Sequence, residues 1–224
     1  CPIYKIASPE ITHIPLIKKV AKTGKPLMIS TGLANLKDIS LAVKTAKSYG
    51  NSNITLLKCN STYPAPIEES NLLNIQYLKK KFNLPCGLSD HTLDDLAAIT
   101  SVAVGGCVIE KHIKLSNDSK SIDSFFSMTE NNFKLMIDRI RMVEKILGKN
   151  NYQISKSSKL NFKSRRSIYV SKNLKRGDKL NKNNIKIVRP GLSIHPKHFL
   201  KLINKKVKKN LTLGSRINIS LLYK

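Results

Sequence analysis

The stretch GLSDHTLDDLAAITSVAVGGCVIEKHI, residues 87–113, decides the fold. A short apolar run ends at His91, a segment with helical spacing follows, and a second apolar run ends at His112. Strand, helix and strand within 27 residues make one βα unit and the start of the next. Neighbouring parallel strands bring equivalent positions side by side, so two imidazoles 21 residues apart can converge on one divalent ion. Alternation along the strands puts Ser89 on the face of His91 and Glu110 on that of His112, with Asp90 and Lys111 turned away. A strand-end histidine by itself is more often a hydrogen-bonded structural residue, so the rest of the chain has to carry a functional reading.

The same pattern runs upstream. IYKIAS (3–8), PLMISTG (26–32), ITLLKC (54–59) and LPCGLSDH (84–91) precede CVIEKHI (107–113), and each is followed by a longer stretch with helical spacing. The last helix is the clearest. Thr129 is its N-cap, Phe133, Met136, Ile137, Ile140, Val143 and Ile146 recur at three- and four-residue steps, and Gly148 is its stop. Five βα units with short, apolar strands suit a doubly wound sheet or part of a (βα)8 barrel. The polar residues decide for the barrel. Ser8 and Glu10, Ser30 and Thr31, Asn60 and Ser61, Ser89 and His91, Glu110 and His112 all fall where a strand gives way to its helix, which in a barrel is one rim. The GxGxxG turn of a dinucleotide-binding sheet and the GxxxxGK loop of a nucleotide enzyme are both absent from the sequence.

A chain of 224 residues, 41% apolar, is long enough for one substantial core and an appendage. No segment approaches the roughly 20 apolar residues that span a bilayer, and the opening CPIYKIASPE lacks the pattern of a signal peptide. A cytoplasmic protein is expected. Starting at Cys1 and running straight into a strand, the chain reads as a fragment. Its cysteines, at 1, 59, 86 and 107, form no CxxC pair. All but Cys1 sit within or beside apolar runs, and reduced, mostly buried thiols are expected. Cys59 and Cys107 are read as small hydrophobes in strands rather than as a third metal ligand.

Charge is unevenly spread. Residues 1–148 hold 19 Lys+Arg against 13 Asp+Glu, a balance of +6, whereas 149–224 hold 21 against one, Asp178, a balance of +20. Such asymmetry nominates a polyanion. However, Lys heavily outnumbers Arg, the aromatics are scattered, and the tail is rich in Lys, Asn and Ile together, so compositional drift accounts for it better than a nucleic-acid groove. Character changes after Gly148: residues 149–164 read as a polar linker and 165–224 as a small, mainly β unit with tight turns. The barrel part is then 1–148.

YKIASPE, GKPLMISTG, LLKCNSTYPAP, GLSDHT, VIEKH, DSFFSM and VRPGLSIHP occur in the order and spacing of the sialic acid synthase family, and the chain resembles most closely its pseudaminic acid branch. The resemblance implies the C-terminal five βα units of a (βα)8 barrel followed by an antifreeze-like (SAF) domain. It implies condensation of phosphoenolpyruvate with an amino-sugar aldehyde, a 2,4-diacetamido-2,4,6-trideoxy hexose for the pseudaminic branch. N-acetylneuraminate and legionaminate synthases are the near alternatives. A divalent cofactor (Mn2+, Mg2+ or Co2+) and a domain-swapped homodimer are implied as well.

Residue by residue, His91 and His112 match the family's metal-binding histidines. Lys5, Ser8, Ser30 and Ser89 match residues that hold the phosphate and carboxylate of phosphoenolpyruvate, and Ser61 stands where the sialic acid synthases carry an asparagine near the phosphate. Glu10, Tyr63 and Asp123 match residues facing the sugar, and Glu10 is the candidate for proton transfer or water orientation. Arg189 matches an arginine delivered into the partner subunit's site. A dianion needs ammonium and hydroxyl donors, while a polyol needs carboxylates and a phenol, so the residue types suit these roles.

Two departures and two rivals stand beside this. Pro9 sits next to Glu10 and can shift it, and the family's first three strands would lie upstream of Cys1, so that the 224-residue chain alone is expected to be inactive. A Schiff-base aldolase would need a nucleophilic strand lysine, Lys58 or Lys5. A basic nucleic-acid-binding module would act through residues 149–224.

Overall fold

The computed structural model describes residues 1–116 and 120–223. The chain forms two compact units, Cys1–Lys149 and Asn150–Lys224. In the first, strands and helices alternate: β1 (Tyr4–Ile6), α1 (Ile14–Ala21), β2 (Leu27–Ser30), α2 (Leu36–Ser48), β3 (Ile54–Cys59), α3 (Leu73–Phe82), β4 (Cys86–Asp90), α4 (Leu96–Ala103) and β5 (Ile109–Lys111). The strands are all parallel and lie in sequence order, β1-β2-β3-β4-β5. This is the curled sheet of a partial (βα)8 barrel. Two short strands, β6 (Ile113–Lys114) and β7 (Met128–Thr129), then pair in parallel and lead into α5 (Glu130–Leu147).

Local chemistry fixes the helices. Asn35 accepts from the backbone N–H groups of Lys37 and Asp38, while Asp38 reaches back to the Asn35 N–H, a reciprocal box that starts α2. The Thr129 hydroxyl caps α5 by accepting from Asn132 N, and Gly148 ends that helix at φ +57°. The sheet's helix-facing side supplies Ile6, Leu27, Ile29, Ile54, Leu56 and Leu88, packed against Ile17 and Val20 of α1, Ile39, Val43 and Ala46 of α2 and Ile75 of α3 in one buried core. Strand alternation then assigns Lys5, Ser30, Cys59, Ser89 and Glu110 to the other face, the interior side of a barrel.

Residues 149–164 include a five-residue helix, α6 (Lys156–Leu160), capped by the Ser155 side chain. The second unit is built on one antiparallel pair, β8 (Ser167–Val170) and β9 (Ile185–Val188), extended by single bridges such as Leu174–Leu211 and Val207–Leu222. Ile168, Val170, Leu180, Ile185, Leu202, Val207 and Ile217 form its own core.

Candidate active site

The ladder between β4 and β5 pairs Ser89 with Glu110 and Asp90 with Lys111, so His91 and His112 are the next residues of two adjacent parallel strands. Their rings lie edge to face with centroids 5.3 Å apart. Backbone bonds hold each turn: Ala65 N donates to His91 O at 2.9 Å, and Met128 N to His112 O at 3.0 Å.

Both rings leave the same nitrogen free. His91 Nδ1 lies 2.7 Å from the Asn60 carbonyl, which can only accept, so Nδ1 carries a proton and, in the neutral ring, Nε2 is the atom with the lone pair. His112 Nδ1 faces the Asp123 carboxylate at 3.6 Å. Carbonyl and carboxylate partners on Nδ1 are the usual supports of a metal-ligating histidine. Among the described residues no group of three or more His, Cys, Asp and Glu side chains is arranged to hold a metal. The two imidazoles are nitrogen donors of the kind that suit a divalent ion, one ligand short of the three protein ligands usual in an open catalytic zinc site. Cys59 is not the third donor: its sulfur approaches the Nδ1 side of His91, at 3.9 Å, away from the free nitrogen.

An aromatic wall surrounds the pair. The Tyr63 ring packs on His91 at 4.3 Å and the buried Phe126 ring on His112 at 4.7 Å, with Tyr63 and Phe126 themselves 5.3 Å apart. Burial acts against a charge on either ring. At His91 it is outweighed by the hydrogen bonds to Cys59 and the Asn60 carbonyl, and the pKa rises. At His112 burial and the neighbouring His91 charge lower it. Burial raises the Cys59 thiol, but hydrogen bonding to His91, Ser8 and Ser89 wins and brings it down to about 7.

Beside the histidines is a cluster of hydroxyls. Ser8 Oγ accepts from Gly32 N at 3.0 Å. A Cβ on Gly32 would overlap Ser61 Oγ and come within 3.0 Å of Ser8 Oγ and 3.1 Å of Cys59 Sγ, so a larger residue there would have to displace these side chains. Ser30 and Ser89 are buried, and the Ser30 hydroxyl has no hydrogen-bond partner among the described residues. The Lys5 ammonium lies 3.0 Å from Glu110 Oε2. Lys5, Ser8, Ser30, Ser61 and Ser89 thus line the same face as the histidines, with Tyr63 and Asp123 touching the rings.

Glu10 and Arg189 make no contact with the histidine pair among the described residues. Glu10, in the turn Ser8–Thr12, is exposed and approaches His13 at 3.4 Å, with no contact to the histidine pair among the described residues. Arg189 belongs to the second unit, where it follows β9 and is exposed. Of the two lysines a Schiff-base enzyme could use, Lys58 faces the helices and donates to Cys59 O at 2.8 Å. Cys107, expected as a small hydrophobe in a strand, is instead exposed and precedes β5, although its N–H still donates to Cys86 O of β4 at 2.9 Å. No helix among the described residues is long and apolar enough to cross a membrane.

Family models match the two units separately, the NeuB family over residues 1–152 and the SAF domain over 165–218. The chain belongs to the NeuB family. It is 39% identical to a pseudaminic acid synthase of Campylobacter jejuni, over 96% of this chain and 62% of the relative. It is 43% identical to the uncharacterized protein MJ1065 of Methanocaldococcus jannaschii, over 92% of this chain and 62% of that one. The crystal structure of an N-acetylneuraminic acid synthetase from Leptospira borgpetersenii, solved with citrate, superposes with a TM-score of 0.68 at 31% identity, over 71% of this chain and 56% of the other. The chain thus spans less than two thirds of the length of the curated NeuB relatives named here.

The packing of Phe126 on His112 and the support that Asn60 gives His91 were not legible in the sequence. Asn60 presents its carbonyl, not its side chain, to His91, and no residue type announces that.

Proposed function

We propose that this chain forms the metal- and substrate-binding half of a synthase that condenses phosphoenolpyruvate with an amino-sugar aldehyde, giving a nonulosonic acid and phosphate. The observation that carries the reading is the pair of strand-end imidazoles, each with Nδ1 turned to a protein acceptor, beside a glycine-lined cluster of hydroxyls. A divalent ion (Mn2+, Mg2+ or Co2+) held by His91 and His112 would supply Lewis acidity to the aldehyde oxygen.

The rest is work for this chain's own residues. Lys5, the hydroxyls of Ser8, Ser30, Ser61 and Ser89, and unhindered access past Gly32 give an anionic substrate charge-assisted and neutral donors. Bound there, C3 of phosphoenolpyruvate is held facing the aldehyde carbon, and orientation lowers the barrier to the new C–C bond. Water then adds at C2, and phosphate leaves by C–O cleavage. Tyr63 and Asp123, at the rings, are assigned to sugar hydroxyls, and the buried Phe126 closes one side to water. Glu10 is exposed, so its role in proton transfer or water orientation requires the substrate to reach it. Arg189 completes the site of a partner subunit in a homodimer.

The substrate proposed is the 2,4-diacetamido-2,4,6-trideoxy hexose of pseudaminic acid synthesis, supported by the 39% identity to the Campylobacter enzyme. The N-acetylneuraminate and legionaminate reactions are the competing outcomes. Phosphate release by the full-length protein, measured from phosphoenolpyruvate with a panel of amino-sugar aldehydes, decides among them. Release with the trideoxy sugar alone supports the proposal; release with N-acetylmannosamine reassigns the branch, and none with any sugar rejects the reaction.

Residues 1–224 expressed alone are proposed to be inactive. Among the described residues β1 and β5 each pair on one side only, so the sheet has two open edges. A monodisperse, active 224-residue protein would contradict this.

A further inference from the structure

Asp90 and Lys111 point away from the site, yet they tie together the two strand ends that carry the histidines. The Lys111 ammonium donates to Asp90 Oδ2 at 2.7 Å and to the Thr92 carbonyl at 2.8 Å. Asp90 Oδ1 in turn accepts the Thr92 backbone N–H at 2.9 Å. One ammonium group therefore grips the residues on both sides of His91, and it belongs to the residue immediately before His112. The β4–β5 ladder ends at the register pair Asp90–Lys111, so beyond it this cluster is what continues the link between the two strand ends.

The pair is buried almost completely, with side chains 1% and 2% exposed, whereas the ion pairs on α5, Lys134–Asp138 and Arg141–Glu144, lie in solvent. A buried ion pair is a poor source of stability, since well-packed apolar residues of the same volume often do as well. What it supplies and they do not is direction: three charge-assisted or backbone bonds with fixed geometry at one point.

We propose that Asp90, Lys111 and Thr92 form a positioning cluster that sets the separation and orientation of His91 and His112. The proposal rests on the reading of that pair as ligands of a divalent ion. Asp90 and Lys111 touch neither ion nor substrate; they act through the backbone of the histidines.

The test uses the full-length protein and the double variant D90N/K111M, which removes both charges together and leaves no unpaired ion behind. Three quantities are read: thermal unfolding of the metal-free protein, the Kd for Mn2+ by electron paramagnetic resonance, and the imidazole 15N spectrum of the metal-free protein. The expected result is a folded variant whose Kd for Mn2+ is weakened about tenfold or more, the usual effect of losing a supporting shell. Its His91 spectrum should change from one fixed Nδ1–H form to an averaged one. A folded variant with an unchanged Kd and an unchanged imidazole spectrum overturns the proposal. Should the wild-type protein bind no Mn2+, the metal reading fails by itself, and the 15N spectra of the same two proteins still decide whether the cluster positions the rings. If the double variant does not fold, D90N, which keeps the shape and leaves the Lys111 bond to Thr92 O, carries the same three measurements.

Discussion

His91 and His112 stand edge to face with ring centroids 5.3 Å apart, although 21 residues separate them in the chain. The distance follows from the register of two neighbouring parallel strands, each ending one residue before its histidine. Each Nδ1 has a protein partner, the Asn60 carbonyl for His91 and the Asp123 carboxylate for His112.

Gly32 is the most sensitive point of the hydroxyl cluster. A methyl group there would overlap Ser61 Oγ and press on Ser8 and Cys59. Overpacking of this kind costs about 1–3 kcal/mol, so G32A should raise the KM for phosphoenolpyruvate roughly tenfold or more. Steady-state kinetics with varied phosphoenolpyruvate checks it, and an unchanged KM would remove this cluster from the anion's site.

Arg189 can be tested by mixing subunits. If it acts across a two-fold dimer, R189A and H91A are each inactive alone, while their random mixture contains heterodimers with one intact site. Such a mixture should recover roughly a quarter of wild-type activity. No recovery, with heterodimers shown to form, would mean that Arg189 serves its own subunit or none.

Leu56, fully buried on the helix-facing side of β3, should be a stability residue and nothing else. L56A is expected to lower unfolding free energy by about 2–5 kcal/mol through lost burial and the cavity left behind. Denaturant unfolding measures this, and the KM values of the folded protein should stay within error.

The βα alternation, the Thr129 cap and the Gly148 stop could be read from the sequence because each depends on neighbours three or four residues away. Alternation also placed Ser89 with His91 and Asp90 with Lys111 on opposite faces, as the strands have them. The sequence was mute where a main-chain atom or a distant partner does the work. Asn60 acts through its carbonyl, and Lys111 was legible only as a residue turned away, since its two bonds need the strand register to bring Asp90 and Thr92 to it. Glu10 shows another limit of the same kind. The resemblance implies a place facing the sugar, while its contact with His13 across the turn after β1 is one the sequence did not announce.

The central claim is that His91 and His112 together hold the ion on which turnover depends. Measuring Mn2+ binding and phosphate release side by side, in full-length wild type, H91A and H112A, tests it most directly. Expected are one ion per site in the wild type, activity lost to a chelator and restored by Mn2+, and neither binding nor turnover in either variant. Near-normal phosphate release by H91A, or by chelated wild type with no measurable metal, would contradict it.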